Sequence, residues 1–162
     1  MSTLIASEWS DAVEFTVRPL GEGYSEVAKI VPIEGLSDSE FGRGLAVDAD
    51  AEFMLAPMAR YNVPYTTAGC VDVYQRVNSV WKRVAKIVSP SPALNEAFGR
   101  DAALSRDGLT AYITAEGNSV KGSYTGCLYI FTRVDKTSNN WVHETTLYPE
   151  DPQVNGYFGT AV

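Results

Sequence analysis

Residues 41–47 read FGRGLAV and residues 98–104 read FGRDAAL, so nearly the same heptad is written twice, 57 positions apart. A third Phe-Gly opens FGTAV at 158–162. Self-similarity at a period of this size marks a repeat architecture, in which no unit buries its apolar surface alone.

The parts that follow each heptad also return in order. FMLAPM from Phe53 is matched by TAYITAE from Thr110. Then come CVDVYQRV from Cys70 and CLYIFTRV from Cys127, matched in an earlier copy by AVEFTVRP from Ala12. All three alternate apolar and polar residues with the two-residue period of a half-buried strand. The fourth parts are YSEVAKIV from Tyr24, WKRVAKIV from Trp81 and WVHETTLY from Trp141. Lys29, Lys86 and Thr146 each stand twelve residues before a Phe-Gly, at Phe41, Phe98 and Phe158. Asp50 and Asp107 fall in the turns between first and second parts, and Gly, Pro, Asn and Asp fill the other connections. No helical periodicity is sustained. Four short strands per repeat predict an all-β chain of four-stranded antiparallel blades, as in a β-propeller. The single domain 1–162 divides into blade 1 (1–36, plus a closing strand 158–162), blade 2 (41–92) and blade 3 (98–152).

FGRGLAVDADAEFMLAP at 41–57, GCVDVYQR at 69–76 and W-x-x-x-AKIV at 81–88 resemble the FG-GAP repeat of integrin alpha-chain propellers and of many bacterial and viral surface proteins. Ala56-Pro57 stands where that family writes Gly-Ala-Pro, although Leu55 replaces the glycine and the last copy has Thr114-Ala115. The resemblance covers nearly the whole chain. It implies a propeller, an extracellular or virion-surface setting, and glycan or protein ligands.

STLIAS at 2–7 aligns without gaps on EFMLAP at 52–57, so the first copy starts at its second strand. FGTAV matches the missing first strand. Propeller rings typically hold four to eight blades, and three cannot close at a sheet spacing of ~10 Å. The expected assembly is a six-bladed ring of two chains in two-fold symmetry, each giving Phe158, Gly159, Thr160, Ala161 and Val162 to the other's first blade. This sealing removes an exposed sheet edge. The competing expectations are a piece of a longer propeller whose other blades are absent from this chain, and an engineered or trimmed propeller fragment whose only property is to assemble.

Net charge −7, with 13 basic and 20 acidic residues scattered along the chain, disfavours nucleic acid as a partner. The longest apolar runs are too short to cross a bilayer, and no basic segment followed by a long apolar one marks an export signal. The resemblance implies calcium loops of the D-x-D-x-D-G kind. Here D-A-D-A-E, with Asp48 and Asp50 as the candidate ligands, lacks the glycine that folds such a loop, so polar turn residues are the favoured reading and no cofactor is expected. Cys70 and Cys127 hold the same repeat position, too far apart for the ~4.4–6.8 Å of a disulfide, and read as buried free thiols. With one histidine, His143, and no C-x-x-C, zinc is excluded.

No nucleophile elbow or phosphate loop is present, so no catalytic residue is assigned. A glycoside hydrolase or lyase using acids at the propeller centre is the alternative from another class, but picking Glu116 and Glu144 among 20 acids would be arbitrary. What varies between copies is the connection between second and third strands: EWSD, ARYNVPYTTAG and EGNSVKGSYTG. Variable loops on a repeated scaffold are where recognition resides. These carry Trp9, Arg60, Tyr61, Tyr65, Lys121 and Tyr124, suited to stacking on sugars or anchoring a protein.

Overall fold

The computed structural model describes residues 28–33 and 38–162, together with the backbone of residues 13–14. Residues 2–7, most of the AVEFTVRP stretch and the first half of the YSEVAKIV stretch lie outside the described residues.

The described chain is all β. A two-residue pair, β1 (Val13–Glu14) with β2 (Ala28–Lys29), precedes two four-stranded antiparallel meanders. The first sheet is β3 (Ala46–Val47), β4 (Phe53–Met58), β5 (Cys70–Val77) and β6 (Val80–Ile87), in that spatial order. The second is β7 (Phe98–Leu104), β8 (Thr110–Ala115), β9 (Cys127–Thr132) and β10 (Val142–Leu147), also in sequence order. Neither sheet closes on itself.

Two expected strands are shorter than the repeat predicts. β3 starts at Ala46 rather than Phe41, because residues 41–44 are spent in a turn where the Arg43 amide donates to the Glu40 carbonyl at 3.2 Å. Within the chain, FGTAV is not a strand either: Phe158 makes one parallel bridge to Gly126, and no hairpin partner is paired with it among the described residues.

Alternation explains the packing. Phe53, Leu55, Val71 and Val73 point to one face of the first sheet and are fully buried against Phe98, Ala111, Ile113, Tyr129 and Phe131 of the second. The Phe98 ring stands 5.3 Å from Tyr129 and 6.0 Å from Phe131, in the tilted and edge-on geometries aromatic rings prefer. On the opposite face of the first sheet, Met54, Ala56 and Tyr74 pack with Ile30, Phe41 and Trp81. The long connection from β6 to β7 is held by the buried carboxylate of Glu96. It accepts hydrogen bonds from the Tyr129 hydroxyl (2.6 Å), the Ser89 hydroxyl (3.0 Å) and the Ala93 amide (3.1 Å). A buried charge is tolerable only when hydrogen-bonded in this way.

Successive units interlock at their Phe-Gly. The Phe98 amide donates to the Ala68 carbonyl at 3.0 Å, and Phe158 repeats this on Thr125 at 3.0 Å. A Cβ at Gly69 would overlap the Phe98 carbonyl oxygen, and one at Gly126 the Phe158 carbonyl oxygen, so both positions require glycine. Positive φ recurs at Asp38, Glu40 and Gly42, at Asn95, Ala97 and Gly99, and at Asn155, Tyr157 and Gly159. The backbone approach to the third Phe-Gly is thus the same as to the other two.

Candidate functional site

Among the connections at one end of the two sheets lies a cleft of about 340 Å³, lined among others by Glu40, Arg60, Arg100, Glu116, Tyr124 and Tyr157. Arg60 follows β4, Glu116 follows β8, Tyr124 precedes β9, and Arg100 is the third residue of β7. Glu40 and Tyr157 each precede a Phe-Gly, at a position of positive φ.

Charge is balanced inside the cleft. Glu40 receives Arg43 Nη1 at 2.9 Å and Arg60 Nε at 3.0 Å, with Arg100 Nη1 at 3.9 Å. Arg100 Nε lies 3.0 Å from Glu116 Oε2, the two side chains being about equally half-buried. The Tyr124 and Tyr157 rings meet at 5.8 Å and form the aromatic part of the wall. Such a surface can offer hydrogen bonds from fixed guanidinium and carboxylate edges and a ring face for stacking.

Of the residues singled out from the loops, the structure brings Arg60 and Tyr124 together here. Tyr65 is exposed elsewhere on its loop. Tyr61 is 8% exposed, packed with Met58 and Cys70 under the Lys86 ammonium, 4.0 Å from the ring centroid. Lys121 lies over the Tyr148 ring at 5.4 Å, and Trp9 falls outside the described residues. Glu40, Arg100 and Tyr157 were missed in the loop comparison. Their signal was available in positions that vary beside an unvarying Phe-Gly.

The D-A-D-A-E loop holds a cation of the protein's own. Lys136 Nζ lies 3.0 Å from Asp48 Oδ2 and 3.2 Å from both Asp50 Oδ2 and Glu52 Oε2. Burial by itself raises the Asp48 carboxyl. The amides of Phe53 and Glu52 (3.0 and 2.8 Å) and Lys136 outweigh that and hold it below the ordinary carboxylate range. These three carboxylates converge on an ammonium, and among the described residues no group of three His, Cys, Asp or Glu is placed to hold a metal ion. Beside them the guanidinium of buried Arg133 stacks 3.7 Å above Phe53 and donates from Nε to the Gly108 carbonyl at 2.9 Å.

Glu116 and Glu144 do not form a pair of acids: Glu116 is in the cleft, and Glu144 is an exposed residue of β10. Cys70 and Cys127 are buried and are not joined in a disulfide, and burial pushes the Cys127 thiol up to about 12. His143 is exposed on β10, its Nε2 2.9 Å from the Thr146 hydroxyl. No helix among the described residues is long and apolar enough to cross a membrane. No family model matches the chain, and no curated protein is significantly similar to it.

Proposed function

We infer that the chain is a noncatalytic, FG-GAP-like propeller module that assembles with a second copy by exchanging residues 158–162 and presents the cleft among its connections to a glycan or protein ligand. One comparison carries this reading. Phe158 sits on Gly126 in the register in which Phe98 sits on Gly69, yet Phe98 is 0% exposed and Phe158 41%. The difference is what a following sheet contributes: Phe98 continues into β7 and pairs with β8, with Phe98 opposite Ala115 and Ala102 opposite Ile113. Residues 2–7 match the corresponding second strand in sequence. A second copy would complete that hairpin.

Light scattering on the full chain and on a truncation ending at Tyr157 tests the assembly. The expected result is twice the 17.6 kDa chain mass for the full chain, and loss of that species on truncation. A monomer indifferent to truncation would overturn it. A glycan array and a panel of chromogenic glycosides then separate ligand binding from turnover.

A further inference from the structure

Cross-strand partners share a face of a sheet. In the first sheet, one face carries the rows Leu55–Val73–Ala85 and Pro57–Val71–Ile87, and the second sheet covers it. At the equivalent repeat positions the second sheet carries Tyr112–Ile130–Thr145 and Thr114–Leu128–Leu147. Here Leu55, Val71 and Val73 are fully buried, whereas Tyr112, Leu128 and Ile130 are only half-buried and Leu147 is exposed. Gly159 reaches Thr114, so the third Phe-Gly already lies at the border of this face, as Gly99 lies against Val71 on the first sheet.

We propose that this open face is an interface for a second copy of the chain, which covers Tyr112, Leu128 and Ile130 as the second sheet covers Leu55, Val71 and Val73. The inference rests on the assembly reading and adds to it a sheet-to-sheet contact, distinct from strand pairing by residues 158–162. Continuity argues for a second copy. The inter-sheet contact within the chain supplies the template, and the Phe158–Gly126 bridge starts its next copy in the same register. An apolar face of this kind, left open, would be an aggregation liability.

The test uses the full chain with residues 158–162 intact. Ile130→Glu and Leu128→Glu place a carboxylate on the face without entering the core between the sheets. Both are expected to fold, by circular dichroism and cooperative melting, and to lose the dimer at concentrations where the native chain is fully dimeric. Carbene footprinting of the native chain serves as a second readout that needs no substitution. Tyr112, Leu128 and Ile130 are expected to be protected in the full chain and labelled after truncation at Tyr157. A dimer that truncation breaks but Ile130→Glu leaves intact, with the face labelled freely, overturns this proposal and keeps the strand exchange. A monomeric full chain overturns both, leaving the face to some other occupant.

Discussion

Lys136 places its ammonium nitrogen 3.0 Å from Oδ2 of Asp48, whose side chain is fully buried. The connection between β9 and β10 is thereby tied to the one between β3 and β4. The same junction carries a backbone bond from the Ala49 amide to the Arg106 carbonyl at 3.0 Å. Two adjacent sheets are thus fastened at this end by one cation shared among three carboxylates.

Removing that cation should loosen the junction. Lys136→Met is expected to cost about 1–2 kcal/mol in urea unfolding, less than a fully buried pair because Lys136 is partly exposed and Asp48 keeps its two amide donors. With the ammonium gone, three carboxylates face one another. Added calcium should then raise the melting temperature of Lys136→Met while leaving the native chain unmoved, which differential scanning fluorimetry would read directly.

Acid should act through the same carboxylate. Asp48 titrates below its unfolded value of ~3.9, so its stabilisation is present above that pH and disappears as pH falls through the lower folded value. Asp107, held down by the Ser105 hydroxyl, and Asp135, held down by the Thr137 hydroxyl, are shifted the same way. Stability should therefore be flat near neutrality and fall below pH ~4. Asp48→Asn should be less stable at pH 7 and show a shallower acid slope, measured by urea midpoints across pH.

The interlocking glycines give a contrast between equivalent positions. Gly69→Ala forces a Cβ into the Phe98 carbonyl at a φ of 86°, inside the core, and should cost more than ~3 kcal/mol or prevent folding. Gly126→Ala makes the same overlap with Phe158, where only residues 158–162 are displaced. At a φ of 78° the new alanine is itself strained, so it should cost about 1–3 kcal/mol, less than Gly69→Ala, and lose the dimer by light scattering.

Thiol chemistry reports the core. Cys127 is buried with its thiol pushed up to about 12, so almost none of it is thiolate at pH 8. Ellman's reagent should find no reactive cysteine in the folded chain and two in urea, with the labelling rate following unfolding rather than reagent concentration.

The strands β4, β5 and β7 coincide with the sequence stretches FMLAPM, CVDVYQRV and FGRDAAL because alternation and punctuation are local, and a strand is defined by them. The glycines before Cys70 and Cys127 were equally visible, although only the packed structure explains them, through the carbonyl of the next Phe. Side-chain fate was not local. Tyr61 and Tyr65 lie in one loop, and the structure buries the first beneath Lys86 and exposes the second. Lys136 reaches Asp48 across 88 positions, and Arg100 joins Glu40 to Glu116 from opposite sides of a cleft. By itself, then, the sequence determined the all-β repeat, its strand order and the places where backbone must pass close to backbone, since period and glycine are properties of the chain. Only the tertiary structure decided which charges neutralise each other and which sheet face stays open, because both depend on what another unit places opposite them.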